Sequence, residues 1–195
     1  MIRLFDIVFS GIGLIVLSPL FFIVYILIRM ESKGGGFYAQ ERIGLNGKPF
    51  KLYKFRSMRQ DADKGSLITV GGHDPRITHM GYFIRKYKID ELPQLWNVLI
   101  GDMSLVGPRP EVERYTRLYT SDQRKVLSVR PGITDWASIE YVDENVILGQ
   151  ADDPDKAYIE RIMPDKICYN MKWIENQRTL EYFKIIFMTF FKILR

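Results

Sequence analysis

Two carboxylates stand side by side in Lys88-Ile-Asp-Glu-Leu-Pro-Gln-Leu95, just ahead of a proline. Asp90 and Glu91 could be only the acidic start of a helix, since Asp is a favoured cap and Pro is tolerated in a first turn. They could also do chemistry, because an ionised carboxylate serves as nucleophile, general base or ligand for a hard cation. A carboxylate at a helix start sits beside free N–H groups that attract phosphate. Arg85, Lys86 and Lys88 precede the pair closely. Further on, Arg109 is held between Pro108 and Pro110, where a fixed guanidinium suits bidentate phosphate binding, with a structural salt bridge as the plain alternative. Upstream, Arg42, Lys48, Lys51, Lys54, Arg56 and Arg59 occupy one window without an acid. Lysines can simply guard a sheet edge, but six cations interleaved with Phe and Tyr favour an anion-facing surface.

Those side chains need elements to hold them. At 195 residues the chain fits one domain with a sizeable core. Its net charge of +5 points to an anionic partner: phosphorylated ligand, acidic headgroup or nucleic acid. The lone Cys168 excludes an internal disulfide, and two histidines, His73 and His79, are too few for a histidine metal site. "FYAQERIGLNGKPFKLYKFRSM" reads as two short strands, Phe37–Gln40 and Phe50–Phe55, joined by a turn at Asn46-Gly47. The dyad opens a helix with Asp90 at or near its cap, Pro93 in its first turn and Gly101 as terminator. "GGHDPR" is a loop, "GYFIRKYK" a short basic amphipathic piece, and "RPGIT" leads into a strand. Asp152–Asp155 caps a helix over about 156–163, and Pro164 opens another through roughly Asn176.

The two ends are apolar. From Ile7 to Ile28 no charge occurs over 22 residues, about 33 Å as a helix at ~1.5 Å per residue, enough for a bilayer core. Ser18-Pro19 falls mid-segment, where proline removes a donor and breaks or kinks the helix. Ser18 can bond back to a freed carbonyl. Arg3 on one side and Arg29 and Lys33 on the other leave the positive-inside rule undecided, so spanning and re-entrant geometries stay equally open. Gly34-Gly35-Gly36 reads as a flexible joint. At the other end, Leu180–Arg195 sets Glu181, Lys184, Lys192 and Arg195 along a narrow stripe of an otherwise apolar helix. Such a helix can pack in a core or lie among headgroups.

Together these motifs resemble the bacterial sugar transferase family, the small monotopic phosphoglycosyl transferases. The resemblance rests on Ser18-Pro19 within the apolar segment, "QERIGLNGKPFKLYKFRSM", "IRKYKIDELPQLWNVLIGDMSLVGPRPE" and "RPGIT", in the family's order over most of residues 1–135. "YNMKWIENQRTLEYFKIIFMT" resembles the family's C-terminal helices. It implies transfer of a phospho-sugar from a UDP-sugar to polyprenyl (undecaprenyl) phosphate, with release of UMP, a covalent aspartyl phospho-sugar and a need for Mg²⁺. Asp90 would be the nucleophile and a Mg²⁺ ligand, and Glu91 a supporting carboxylate that could act on a proton of the acceptor phosphate. Lys54, Arg85 and Arg109 would bind phosphates, and Ser18 and Pro19 would set the membrane break.

The expected fold is therefore α+β: a compact helical domain with a short β-hairpin, a re-entrant membrane helix over residues 1–33 and a catalytic domain over 34–195 that includes an interfacial amphipathic helix, 180–195. The expected place is the cytoplasmic face of a bacterial inner membrane, monotopic. The reaction would be the first step of a cell-surface glycoconjugate pathway, with downstream glycosyltransferases as candidate partners and no nucleic acid. The family commonly continues after "RPGIT" with Gly-Trp-Ala-Gln, whereas this chain has Asp135-Trp136-Ala137-Ser138 and a long acidic stretch. That segment is expected to face the nucleotide-sugar. A non-enzymatic lipid- or nucleic-acid-binding module on a signal anchor is the rival reading, and it gives the dyad no task beyond capping. A hydrolase using two carboxylates is disfavoured, since adjacent residues are poorly placed to flank a glycosidic bond.

Overall fold

The computed structural model describes residues 1–60, 62 and 74–193. Gly71, Gly72 and His73 of the expected loop, and Arg195 of the C-terminal stripe, lie outside the described residues.

The apolar N-terminus forms two helices, α1 (Ile2–Val16) and α2 (Ser18–Glu31), bent by 59°. Pro19 stands in the first turn of α2, where its missing N–H leaves no helical bond unmade. The Ser18 hydroxyl donates to the Ile15 carbonyl at 2.8 Å, the back-bond that its position next to proline suggests. Among the described residues no single helix is long and apolar enough to cross a membrane, although the bent pair has the length and composition to do so. At ~1.5 Å per residue each helix covers roughly 22 Å.

The glycine joint is a fixed corner rather than a flexible one. Arg56 donates to the carbonyls of Lys33 (2.6 Å) and Ser32 (2.8 Å). Gly34 adopts φ +113, and a side chain there would meet the Arg56 guanidinium at 2.1 Å. The chain then forms a hairpin, β1 (Phe37–Ile43) with β2 (Pro49–Phe55), in antiparallel register with Tyr38 opposite Lys54. Asn46 and Gly47 take the two positive-φ positions of the turn, φ 56 and 73, as Asn-Gly favours. β1 runs three residues beyond the expected Gln40, because Glu41 pairs across from Lys51 and the Ile43 N–H is bonded to the Glu111 carbonyl at 2.9 Å.

Next comes α3 (His79–Lys86), which is the expected basic piece begun two residues earlier. Thr78 and Glu31 cap it: the Thr78 hydroxyl accepts from Gly81 N–H, and the Glu31 carboxylate from His79 and Met80 N–H. Asp90 is not a helix cap. Ile89–Glu91 is a single tight turn entered through a left-handed Lys88 (φ 55), and α4 (Gln94–Ile100) starts only after Pro93, with no side-chain cap. Gly101 closes α4 at φ 101, as its terminator role required.

Two three-residue strands, β3 (Ser104–Val106) and β4 (Gly132–Thr134), pair in parallel, an association the local pattern does not announce. The same half of the chain forms short helices α5 (Glu113–Thr116), α6 (Trp136–Glu140) and α7 (Glu144–Gly149). The two helices expected on either side of Pro164 are one continuous helix. It comprises α8 (Pro154–Ala157), capped by the Asp153 carboxylate, a widened turn Tyr158–Ile162, and α9 (Met163–Glu175). A turn with i→i+5 bonding needs no donor from Pro164 at the usual place, so the proline is absorbed. The last described element is α10 (Thr179–Ile193), whose Tyr182 and Ile185 are fully buried with Val106, Ile139 and Trp173. Its Leu180, Phe187, Phe190 and Phe191 stay exposed, as do Leu4, Ile12, Ile15 and Val16 of α1 and Phe22, Ile23 and Met30 of α2. An apolar face of that extent is unusual for a water-surrounded chain.

Candidate active site

Three segments converge on Glu91. Lys54, near the end of β2, donates from Nζ to Oε1 at 3.1 Å. Arg109, in the loop after β3, approaches as a fork: Nη1 reaches Oε2 at 3.1 Å, and Nη2 forms a close bond to Oε1. Both oxygens of Glu91 are thus committed. Burial alone would raise this carboxyl, but the charges on Arg109 and Lys54 and the Arg109 bonds hold it well below the carboxylate range. In that setting Glu91 is a poor proton acceptor and an effective organiser of two cations. Burial, together with Arg109 and Arg42, lowers the Lys54 ammonium against the pull of Glu91 and Asp90.

Asp90 has the opposite environment. It is buried, and its Oδ1 has no hydrogen-bond partner. Its pKa is raised, first by burial and then by the neighbouring Glu91, and less so because Lys54, Arg85 and Lys88 oppose the shift. A buried oxygen without a partner costs free energy unless something completes it. The neighbouring acid, by contrast, has both oxygens bonded.

The supporting bonds explain how the parts meet. Asn97, fully buried on α4, accepts from the Tyr53 N–H at 3.1 Å and donates to the Lys51 carbonyl at 2.7 Å. The strand that carries Lys54 is thereby fixed against the helix that follows the dyad. The Arg109 loop is fixed on its other side: the Gly107 N–H bonds the Thr134 carbonyl at 3.0 Å, and the Arg109 N–H bonds Asp135 Oδ2 at 3.2 Å. Asp135, the first residue of the divergent segment, is wholly buried, and its other oxygen accepts from Ser138 N–H at 2.6 Å to cap α6. Asp135 therefore holds the Arg109 loop in place. Arg42, one of the six basic residues, bonds the Pro110 carbonyl at 3.2 Å and faces Glu111 at 3.8 Å.

Of the residues singled out from the sequence, Asp90, Glu91, Lys54 and Arg109 come together. Arg85 lies in the last turn of α3 and acts on Asp90 and on Asp74 through its charge. Ser18 and Pro19 sit at the bend between α1 and α2. Asn97 has no place among the site residues expected from the sequence, where a lone amide within "LWNVLI" is its only hint. The bond of Asp135 to the Arg109 loop has no local signal beyond its standing where the family commonly has Gly. No cluster of three or more His, Cys, Asp or Glu residues able to hold a metal occurs among the described residues. Mg²⁺ does not need one: it usually takes one or two carboxylates, with substrate phosphates and water completing its shell. The unpartnered Asp90 oxygen is a donor of that kind.

The model of the bacterial sugar transferase family matches residues 1–195. The chain belongs to this family. Among curated relatives, it is 37% identical over 193 residues to the UDP-glucose:undecaprenyl-phosphate glucose-1-phosphate transferase of Klebsiella pneumoniae. That alignment covers 97% of this sugar transferase and 39% of the relative. A UDP-N-acetylgalactosamine-undecaprenyl-phosphate N-acetylgalactosaminephosphotransferase of Aeromonas hydrophila is 38% identical over 175 residues, covering 88% of this chain and 38% of its own. The exopolysaccharide production protein ExoY of Sinorhizobium fredii is 40% identical over 147 residues, 68% of this chain and 65% of its own. This sugar transferase thus spans under two-thirds of the length of each of these relatives. Two of them, at nearly equal identity, are named for different sugars.

Proposed function

We propose that the protein transfers a phospho-sugar from a UDP-sugar to undecaprenyl phosphate at the membrane surface, through a covalent phospho-sugar on Asp90. The observation that carries this is the asymmetry of the dyad: Glu91 has both oxygens committed to Lys54 and Arg109, while Asp90 has a buried oxygen without a partner. In the first step an Asp90 oxygen attacks the phosphorus that bears the sugar, and the P–O bond to the uridylyl phosphate breaks, releasing UMP. In the second, an oxygen of undecaprenyl phosphate attacks the same phosphorus, and the acyl-phosphate bond breaks, restoring the Asp90 carboxylate. Lys54, Arg109 and Arg85 supply positive charge where two anions must meet. Neutralising the diphosphate is what Mg²⁺ contributes when bound, with Asp90 as its carboxylate ligand. Glu91 keeps the two cations in place and stays ionised throughout.

The acceptor is a lipid, and the exposed apolar faces of α1, α2 and α10 supply a membrane-seeking surface. A re-entrant rather than spanning geometry is supported by where the flanks are tied. Arg3 at the start of α1 and Glu31 and Ser32 at the end of α2 are all bonded to the same body. With both flanks on one side, the bend at Leu17 forms the tip in the lipid. The catalytic side is then the cytoplasmic one, where UDP-sugars are made. Products of this kind feed exopolysaccharide and related surface glycans.

A labelled UDP-sugar offered without acceptor tests the central step. Label should remain on the denatured wild-type protein, with UMP released in equal amount, and undecaprenyl phosphate should then remove it. Asp90→Asn should retain none. Retention of label by Asp90→Asn would exclude Asp90 as the nucleophile.

A further inference from the structure

One charged residue of α1 has no part in the reaction and is nonetheless among the most deeply buried polar groups. Asp6 is 2% exposed, and its Oδ1 accepts three bonds: from the Ser104 hydroxyl at 3.0 Å, the Leu105 N–H at 2.9 Å and the Tyr182 hydroxyl at 2.9 Å. These donors belong to β3 and α10. Three residues earlier on α1, hence on the same helical face, Arg3 donates to the Val98 and Leu99 carbonyls at 2.5 and 2.9 Å. Those carbonyls lie at the C-terminal end of α4.

The first two turns of α1 therefore hold two arms of the body at once. One arm is α4, which follows directly from Asp90 and Glu91. The other is β3, which runs straight into Gly107-Pro108-Arg109. The Glu91–Arg109 fork closes between these arms. Membrane attachment alone would ask of α1 only an apolar exterior, and a buried carboxylate with three donors adds nothing to that. Burying such a group is costly unless every bond is made, so its contacts are specific rather than incidental.

We infer that Asp6 is a positioning residue: with Arg3 it fixes the gap between the dyad and Arg109, so the membrane helix is part of the catalytic framework. The path is short. Asp6 holds Ser104 and Leu105, β3 pairs Ser104 with Gly132 and Val106 with Thr134, and Arg109 follows three residues on. A shift of about 1 Å in a group that positions reacting charges costs on the order of 10²-fold in rate. Removing the β3 anchor by Asp6→Ala should lower kcat by about that much.

The inference rests on the proposed reaction, and UMP release in the presence of undecaprenyl phosphate reads both. A double-mutant cycle separates positioning from general loss of structure. Asp6→Ala should reduce kcat per folded, membrane-bound molecule by about 10²-fold in the wild-type background, but by less than about 3-fold once Arg109→Ala has removed the group being positioned. Asp6→Asn, which keeps an acceptor oxygen of the same size, should recover most of the activity. If Asp6→Ala does not fold, Tyr182→Phe, which removes one of the three donors, is expected to show the same non-additivity at smaller amplitude. Equal fold-losses in both backgrounds would overturn the inference, as would unchanged kcat per folded molecule. No UMP from the wild type with any UDP-sugar would instead overturn the reaction reading, and the positioning role with it.

Discussion

Protonating Glu91 would leave Lys54 and Arg109 side by side in a buried site, and this sets the sign of its contribution to stability. Its folded pKa is depressed, so its stabilisation is present above the unfolded value of about 4.3 and is lost as pH falls through the folded value. Asp90 has the reverse sign. Its folded pKa is raised, so its contribution is most favourable below the unfolded value and is lost as pH rises through the folded one. Ionisation of Asp90 therefore opposes folding. Glu91→Gln should cost about 3 kcal/mol through two uncompensated cations, while Asp90→Asn should be neutral or raise Tm by a few degrees. Thermal unfolding at pH 7.5 checks both directions. The proposed reaction has a related dependence, since a carboxylate nucleophile at Asp90 would attack only when ionised. UMP release should fall along an acid limb as Asp90 takes up a proton. Arg85→Ala, by removing a charge that favours the ionised form, should move that limb to higher pH, and an unmoved limb would detach Arg85 from Asp90.

At the scale of elements, the site depends on contacts too close to tolerate a side chain. The parallel pair β3–β4 brings Gly132 against Gly107 so tightly that a Cβ on Gly132 would lie 2.1 Å from the Gly107 nitrogen and 2.4 Å from its oxygen. Both partners are backbone, so no rotamer change can relieve the clash. Gly132→Ala should part the strands, lower stability by about 3 kcal/mol and displace the Arg109 loop. Gly47→Ala is the useful contrast. It has open space around it and a φ of +73, so it should cost about 1 kcal/mol of backbone strain and leave turnover intact. Urea unfolding beside UMP release distinguishes the two. The hairpin turn was legible in the sequence because Asn-Gly announces its backbone. The β3–β4 pair was not, because three-residue strands carry no period and their pairing is settled by residues nearly thirty positions apart.

For the whole molecule, the arrangement of flanks around one body makes a topological prediction. Single cysteines placed ahead of Ile7 and after Ile28, in a Cys168→Ser background since Cys168 is exposed, should react with a membrane-impermeant reagent from the same side. Opposite accessibility would convert the bent pair into a broken span. The large apolar exterior shared by α1, α2 and α10 should also make the protein leave the membrane with detergent rather than with salt. Asp135, which departs from the family's usual residue at the start of the acidic stretch after β4, faces inward. A change of residue type marks a difference without saying which way the side chain points.

The sequence by itself determined the chemistry on offer: the adjacent carboxylates, an excess of cations before and after them, the proline break and two apolar ends. Each of these follows from local composition and spacing. Only the tertiary structure gave the two acids different surroundings. Asp90 and Glu91 are neighbours of nearly identical chemistry, and they differ because Lys54 and Arg109, arriving from β2 and the β3 loop, bond one of them and leave an oxygen of the other without a partner. The same holds for Asp6, which looks like a flanking charge in the sequence. Its three donors come from residues about a hundred and more positions away, and long-range bonds of that kind leave no local trace.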